Sequence, residues 1–166
     1  LPEPVTSDKN HHEWQLRKKS CLRLLHYLKK RKENYTVLDI GCGNGWFAHQ
    51  MAIHELASVD GLDINVEELE QAARVFNKKN LKFIYADVFE TSLSFIKKYD
   101  IITLNASVQY FENIELLLST LKNLLGSNGE IHILDSPFYE PNELEAAKKR
   151  TEYYYKSLGT PEMSKH

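Results

Sequence analysis

The segment most able to bind a ligand through its backbone is the glycine-rich run at residues 41–45, Gly-Cys-Gly-Asn-Gly. Glycine adopts backbone angles that a Cβ atom forbids, and it lets a ligand approach the main chain closely. The apolar residues 36–40 before it predict a buried strand, and a helical pattern starts at Trp46. The first N–H groups of a helix lack intrahelical partners, so they are available to a polar ligand. The order of these residues predicts a ligand-binding turn between a strand and a helix.

Two carboxylates accompany this turn. Asp39 lies inside the first predicted strand, and Asp63 ends the second one. A carboxylate at the tip of a strand can accept hydrogen bonds from both hydroxyls of a ribose. A dinucleotide fingerprint would need a glycine where Trp46 stands, and a phosphate-binding P-loop would need Gly-Lys-Ser/Thr, which is absent. The pattern favours a ribose-bearing ligand, and Trp46 disfavours the alternative of a nicotinamide-dependent oxidoreductase.

Composition and charge exclude several other classes of protein. The chain has 166 residues, enough for one domain, and a formal net charge of -2 gives no electrostatic reason to expect a nucleic-acid partner. No apolar run approaches the roughly 20 residues that span a bilayer, and no signal peptide is visible. Cys21 and Cys42 form no Cys-x-x-Cys pair, and the histidines lack metal-ligand spacing, so no metal site is predicted. A reducing, cytoplasmic location is the simplest expectation.

Strand and helix patterns alternate along the chain. Predicted strands cover residues 36–40, 57–63, 81–86, 99–105 and 130–135, and predicted helices cover 13–31, 46–54, 66–77, 114–125 and 141–158. Asn65 is expected to cap the third helix in a capping box with Glu68, and Pro141 to begin the last helix. Residues 87–98 are expected to form a loop, with room for a short helix. The alternation predicts a doubly wound, mainly parallel α/β sheet with helices on both faces. We divide the chain into a lead-in segment with its helix, residues 1–35, and a ligand-binding domain, residues 36–166.

Five segments occur in an order typical of one family. They are Val-Leu-Asp-Ile-Gly-Cys-Gly-Asn-Gly at 37–45, Val-Asp-Gly-Leu-Asp at 59–63, Ile-Tyr-Ala-Asp-Val at 84–88, Tyr-Asp-Ile-Ile-Thr-Leu-Asn-Ala at 99–106 and Leu-Leu-Gly-Ser-Asn-Gly-Glu at 124–130. Together they resemble the motifs of class I S-adenosylmethionine-dependent methyltransferases over about residues 36–135. The resemblance implies a Rossmann-like fold, S-adenosyl-L-methionine as cofactor, and an enzyme that methylates a small-molecule acceptor. A non-catalytic module that binds the same cofactor is the main alternative.

The resemblance also implies roles for individual residues. Asp63 would bind the ribose hydroxyls, Asp87 the adenine amino group, and the backbone N–H of Val88 a ring nitrogen, while Ile64 would pack on the adenine face. The methionine and ribose portion would contact the residues of the turn and of the fourth strand end, namely Asp39, Gly41, Cys42, Gly43, Gly45 and Asn105. Asp39 would reach the ammonium group through a water. The family often has a cysteine at the position of Cys42, with no covalent role.

The sequence says less about the pocket that would bind the methyl acceptor. The segments that build it in the family contribute an aromatic-rich wall here, namely Gln109, Tyr110, Phe111, Pro137, Phe138, Tyr139, Tyr153, Tyr154 and Tyr155. Tyr110 and Asp135, and also His132, are candidates for a general base, although a structural role is the better interpretation of each. Trp14 and Arg17 lie one helical turn apart, so their helix could close over the cofactor with Arg17 at the methionine carboxylate.

One departure from the family concerns the end of the sheet. The family usually has seven strands, and no sixth or seventh strand pattern follows Asp135. Strand five would then be an exposed edge, which is prone to pair with another chain. The sequence therefore predicts a fragment, a missing native tail, or a homodimer that covers this edge.

Overall fold

The computed structural model describes residues 11–90, 97–157 and 159. Over these residues five helices and five strands alternate: α1 (His11–Leu28), β1 (Tyr35–Ile40), α2 (Trp46–Ala52), β2 (Ala57–Asp63), α3 (Val66–Val75), β3 (Leu81–Tyr85), β4 (Tyr99–Asn105), α4 (Ile114–Leu124), β5 (Leu125–Leu134) and α5 (Leu144–Ser157). A short 3-10 helix, Val108–Tyr110, follows β4. The predicted lead-in at 1–10 and most of the predicted loop at 87–98, namely 91–96, lie outside the described residues.

The strands form one sheet in the order β3-β2-β1-β4-β5. Every neighbouring pair is parallel. The order reverses between β1 and β4, because the chain first builds outward from β1 to β3 and then returns to the other side of β1. Ligands bind at such a reversal, outside the carboxyl ends of the strands. The predicted doubly wound parallel sheet is therefore confirmed, and the glycine-rich turn after β1 lies at the reversal point.

Each face of the sheet carries an apolar cluster. On one face Cys21, Leu24 and Leu28 of α1 pack with Phe47 and Met51 of α2. On the other face the buried side of α4 packs on alternate residues of the strands, and it contributes Leu117, Leu121 and Leu124. Complete burial of such a side chain contributes about 1.5–3 kcal/mol. Helices thus cover both faces, and α1 belongs to the same core as the sheet.

The start of β5 differs from the prediction. Leu125 pairs with Tyr99, whereas Ile101 pairs with Glu130, so four residues of β5 bulge out between the two pairs. α4 therefore runs directly into β5, and the expected turn at 127–129 is this bulge. A Cβ atom at Gly129 would lie 2.9 Å from the Tyr99 carbonyl oxygen, so glycine is needed where the bulge returns to the sheet. The strand predicted from residue 130 therefore begins at Leu125.

Two predictions about helix starts also need correction. Pro141 lies in a turn before α5, which begins at Leu144, so it does not occupy the first helical turn. At α3 the Asn65 side chain accepts a hydrogen bond from the Glu68 N–H at 3.3 Å, as expected of an N-cap. The reciprocal half of the capping box is wrong, because the Asn65 N–H donates to Asp63 Oδ1 instead, at 2.9 Å.

Helix α1 is attached to β5 by polar contacts. Glu130 accepts hydrogen bonds from the Tyr27 hydroxyl at 2.8 Å and from the Arg31 guanidinium at 2.7 Å. The His132 Nε2 lies 3.0 Å from the same carboxylate. Of the strands that the structure describes, only β4 pairs with β5, so β5 is an edge strand as predicted. In the described part of the chain no helix is long and apolar enough to cross a membrane.

Candidate functional site

A cavity of about 730 Å³ opens at the carboxyl ends of the strands, in the volume range of small-ligand sites. The ends of β1 to β4 and one side of α1 form its walls. Its lining consists of Trp14, Arg17, Asp39, Ile40, Gly41, Cys42, Gly43, Asn44, Trp46, Phe47, Leu62, Asp63, Ile64, Asn65, Glu68, Ala86, Asp87, Val88, Phe89, Asn105, Ala106, Ser107, Tyr110 and Phe111. Nine of the ten residues that the sequence proposed for the cofactor line this one cavity, and Gly45 is the exception.

The glycine-rich turn is shaped by its contact with the end of β4. Gly41 has a φ of 67°, and a Cβ atom there would lie 2.5 Å from the Cβ of Ser107. The Ser107 hydroxyl donates a hydrogen bond to the Ile40 carbonyl oxygen at 2.7 Å, which joins the two loops. Sequence reasoning missed Ser107, and its only signal was a small residue just after the fourth strand.

Gly45 has a packing role. Its φ is 76°, and a Cβ atom would lie 2.6 Å from the ring of Phe83 and 2.8 Å from Ala72. Gly45 does not line the cavity. It therefore allows the start of α2 to pack closely on β3 and α3, and the expectation that it contacts the ligand is not supported.

Asp63 is held rigidly at the tip of β2. One carboxylate oxygen accepts the Gly43 N–H at 2.7 Å, and the other accepts the Asn65 N–H at 2.9 Å. Each ionised carboxylate oxygen has a further lone pair, so both can still accept a ligand hydroxyl. The Glu68 carboxylate lies beside Gly43, and burial followed by the charge of Asp63 raises its pKa. The site therefore concentrates negative charge next to the turn.

Two buried oxygens in the cavity wall have no hydrogen-bond partner among the described residues. They are Asp39 Oδ2 and Asn105 Oδ1. Asp39 is 1% exposed, and its other oxygen accepts a hydrogen bond from the Thr103 hydroxyl at 2.7 Å. Burial raises the pKa of Asp39 to about 7, the Thr103 hydrogen bond opposes the rise, and the charge of Asp63 adds to it. Because an unpaired buried acceptor costs about 1–3 kcal/mol, these oxygens favour a ligand that brings N–H donors.

The residues that follow β2 and β3 form another part of the cavity wall. Ile64 is 68% exposed, so its apolar side chain is free to contact a ligand. Asp87 is exposed and accepts the Phe89 N–H at 2.9 Å, which orders the loop after β3, and Val88 is buried beneath it. The structure thus brings together the three residues expected at the adenine.

The Cys42 thiol lies in the cavity wall but is unsuited to nucleophilic attack. Burial raises its pKa far above the usual range, and the charges of Asp39 and Asp63 raise it further. Since the thiolate is the reactive form, the thiol stays protonated and inert. A Cβ atom at Gly61 would lie 2.9 Å from Cys42 Sγ, so this glycine makes room for the sulfur.

The aromatic wall is smaller than expected. Tyr110 and Phe111 line the cavity, and Phe89 joins them in an edge-to-face contact with Phe111 at 5.9 Å between ring centres. The other residues proposed for the wall lie outside the lining, namely Gln109, Pro137, Phe138, Tyr139, Tyr153, Tyr154 and Tyr155. Of the base candidates only Tyr110 lines the cavity. His132 contacts Glu130, and Asp135 is not among the lining residues.

Helix α1 contributes Trp14 and Arg17 to the cavity, on the side where the turn leads into α2. The rings of Trp14 and Trp46 meet edge-to-face with 5.9 Å between centres. The Arg17 guanidinium lies 5.5 Å from the centre of the Trp14 ring and 2.6 Å from the Glu13 carboxylate. The structure therefore places both residues where the sequence expected a lid.

Comparison with known proteins agrees with this geometry. A family model described as a methyltransferase domain matches residues 31–165. A malonyl-[acyl-carrier protein] O-methyltransferase from Ilyobacter polytropus is 31% identical over 119 residues, which is 70% of this chain and 44% of that protein. A ubiquinone biosynthesis O-methyltransferase from Pelagibacter ubique is 32% identical over 104 residues, which is 63% of this chain and 43% of that protein. The chain spans less than half the length of these two relatives.

The solved structures that resemble this chain are also methyltransferases. The plantazolicin methyltransferase BpumL, in complex with a triazolic desmethylPZN analog and SAH, matches with a TM-score of 0.63 and 26% identity over 86% of this chain and 58% of that one. An S-adenosylmethionine-dependent methyltransferase from Thiobacillus denitrificans, bound to S-adenosyl-L-homocysteine, shares the fold with a TM-score of 0.62, at 20% identity over 80% of this chain and 54% of that one. The family match over most of the chain, joined to the fold and its glycine-rich site, shows that the chain belongs to the class I S-adenosylmethionine-dependent methyltransferases.

Proposed function

We propose that the chain binds S-adenosyl-L-methionine in the cavity and directs its methyl group to a small-molecule acceptor. The observation that carries the proposal is the Asp63 carboxylate, fixed beside the glycine-rich turn by two backbone N–H groups. Its lone pairs face the cavity at the position that suits the two ribose hydroxyls. The relatives named above, whose printed names describe O-methyltransferases, support a methyltransferase activity.

The other residues of the cavity fit the same ligand. The unpaired oxygens of Asp39 and Asn105 suit the ammonium group of the methionine part, which brings three N–H donors. Ile64, Asp87 and Val88 suit an adenine ring, with an apolar face, a carboxylate and a backbone N–H. The acidic lining favours a ligand with net positive charge, and the sulfonium and ammonium groups supply it.

The cofactor supplies an activated methyl group, and the contribution of the chain is binding and alignment. An in-line displacement needs the acceptor atom, the methyl carbon and the sulfur on one axis, with water excluded. Asp63 and the turn hold the donor side of this axis. Phe89, Tyr110 and Phe111 line the cavity near the end of β4, where an apolar or aromatic acceptor would pack. The protonated thiol of Cys42 takes no covalent part.

Two further expectations belong to this proposal. The homodimer rests on the free edge of β5, which pairs with β4 alone in the described sheet. The cytoplasmic location rests on two free, buried cysteines, which suit a reducing compartment.

The test is the affinity of Asp63→Ala for S-adenosylmethionine by isothermal titration. Loss of even one charged hydrogen bond to the ribose should weaken binding roughly tenfold to a hundredfold, since each contributes about 1.5–3 kcal/mol, and loss of both should weaken it further. Glu67→Ala, in the exposed first turn of α3, is the matched control and should bind like the parent chain. Equal affinity of the parent chain and Asp63→Ala would refute the assigned role. A labelled-methyl assay with cell extract then separates an enzyme from a module that only binds.

A further inference from the structure

The segment from the start of α1 to Glu33 is strongly basic in a weakly acidic chain. Residues 11–33 contain eight lysine or arginine residues and two glutamates, Glu13 and Glu33, whereas the other residues of the chain include 13 basic and 21 acidic ones. The formal net charge of the whole chain is -2, so it does not reveal this asymmetry. The excess of positive charge is therefore concentrated on one helix and the turn that follows it.

Most of these basic side chains have no acidic partner in the described part of the chain. Arg17 pairs with Glu13, and Arg31 pairs with Glu130. No ion pair to a described residue holds the other six, namely Lys18, Lys19, Arg23, Lys29, Lys30 and Lys32. A helix face that only contacts solvent usually mixes both signs of charge, with pairs three or four residues apart. A surface of one sign favours an anionic partner.

Three of the unpaired side chains, Lys19, Arg23 and Lys30, form a basic row on the side of α1 that faces solvent. Residues two apart on a helix point about 200° apart, so Lys19 and Arg23 lie opposite the fully buried Cys21. Lys30 follows in a turn that continues the helical path, since its N–H group donates to the Tyr27 carbonyl oxygen at 3.2 Å. It comes two helical turns after Arg23, and all three side chains of the row are exposed.

Two apolar side chains flank the basic row. Leu16 and Leu22 are each 49% exposed, and each lies three residues from Lys19, so they are its neighbours on the helix surface. Contact with a bilayer buries such leucines among the acyl chains, while long basic side chains reach the lipid headgroups. A nucleic acid would satisfy only the charges, because its phosphates give the leucines no apolar contact. The combination therefore favours a lipid surface.

We propose that the basic row and its two leucines dock the chain on the surface of an anionic lipid bilayer. Anionic headgroups attract each nearby lysine or arginine, and these attractions add up where a row of them faces the membrane. Trp14 and Arg17 line the cavity from the opposite side of α1, so a docked bilayer would lie about one helix diameter, roughly 10–12 Å, from the cavity. The inference goes beyond the proposed function and does not depend on it.

The first experiment measures co-sedimentation of the parent chain with vesicles, without cofactor or acceptor. One set of vesicles contains phosphatidylcholine alone, and the other contains equal amounts of phosphatidylcholine and phosphatidylglycerol. The chain should bind the anionic vesicles and not the neutral ones. Raising the salt from about 0.1 M to about 1 M shortens the Debye length from about 10 Å to about 3 Å, so it should weaken this binding roughly tenfold or more.

Two variants separate the charged and the apolar contributions. Lys19→Gln with Arg23→Gln and Lys30→Gln should weaken binding to the anionic vesicles on the order of a hundredfold, since each charge near the membrane contributes about fivefold. Leu16→Ser with Leu22→Ser should weaken vesicle binding roughly tenfold through lost apolar burial. The leucine variant should bind a duplex oligonucleotide as the parent chain does. Circular dichroism verifies the fold of both variants, and the salt dependence of the parent chain needs no variant.

The matched control also removes one arginine and two lysines, all of them exposed. It is Arg74→Gln with Lys79→Gln and Lys82→Gln, on α3, β3 and the loop between them, and it should bind vesicles like the parent chain. Equal binding of the parent chain to neutral and anionic vesicles would overturn the inference, as would equal losses in the two triple variants or no loss in the leucine variant.

Tighter binding to the duplex than to the vesicles would also overturn the inference, because it would assign the basic row to a nucleic acid. None of these outcomes affects the proposed function, since the titration with S-adenosylmethionine tests that function separately.

Discussion

The environment of Asp39 is unfavourable for the ionised form of its carboxyl group. Its carboxyl group is buried inside β1, and only one of its oxygens has a partner among the residues described. Burial disfavours the ionised form, which is why the pKa rises to about 7. A neutral, well-packed residue would cost the fold less, so the carboxylate is best explained by a cationic ligand group.

Asp39→Asn should stabilise the chain relative to the parent as the pH rises. The unfolded carboxyl ionises near its ordinary pKa of 3.8 and the folded one near 7, so between these values the folded state binds more protons. Stability of the parent chain therefore falls with rising pH across this window, and the asparagine variant lacks that loss. Denaturant unfolding at several pH values measures the difference. A difference that stays constant from below pH 3.8 to above pH 7 would contradict the prediction, and Asp87→Asn at an exposed position is the control.

Helix α1 owes its position to both apolar and polar contacts. Its buried side joins the core through Cys21, Leu24 and Leu28. Its last turn and the loop that follows are attached to β5 through Glu130. Burial raises the pKa of Glu130, but the hydrogen bonds of Tyr27 and His132 and the charge of Arg31 outweigh it, so the pKa lies below the ordinary 4.5. The contact therefore stabilises the fold while the carboxylate is ionised.

Glu130→Ala should lower the melting temperature at neutral pH, and the effect should disappear in acid. A depressed folded-state pKa gives stability that is present above the unfolded pKa and is lost as the pH falls through the folded pKa. The group is partly exposed, so the loss at neutral pH should be small, on the order of 1 kcal/mol. Thermal unfolding followed by circular dichroism, with exposed Glu33→Ala as control, measures it. A loss that persists undiminished well below pH 4.5, where the carboxyl group is protonated in the folded state as well, would mean that packing, and not charge, holds α1 on β5.

In the described sheet β5 is an edge strand, on the side opposite β3. β5 has one partner in the described sheet, and the segments that follow β5 in the chain expose Phe138, Tyr153 and Tyr154. Unpaired strand edges and exposed aromatic side chains both favour association. The prediction is a homodimer, so light scattering on a sizing column should give twice the chain mass of 19.3 kDa. A mass of 19.3 kDa throughout a dilution series would contradict it.

Local sequence was sufficient for the order of the strands, the parallel sheet and nine of the ten residues that were proposed for the cofactor. The reason is that β1, its turn and α2 are contiguous, that Asp63 and Asn105 each end a strand, and that Asp87 follows β3 closely. Their positions therefore follow from strand order. The Asn65 cap was equally predictable, because it involves residues three apart. The division at residue 35 remains a prediction.

Contacts between segments distant in sequence were decided only by the tertiary structure. The packing of Ser107 on Gly41 and of Phe83 on Gly45 joins residues that no local pattern relates. The early start of β5 depends on the pairing of Leu125 with Tyr99, and the position of α1 depends on Glu130. Local propensity and periodicity act over a few residues, whereas bulges, close backbone approaches and the choice of lining residues depend on which surfaces meet across the sheet. For that reason the family was readable from the chain, while the extent of the aromatic wall and the arrangement of charges around the cavity required the fold.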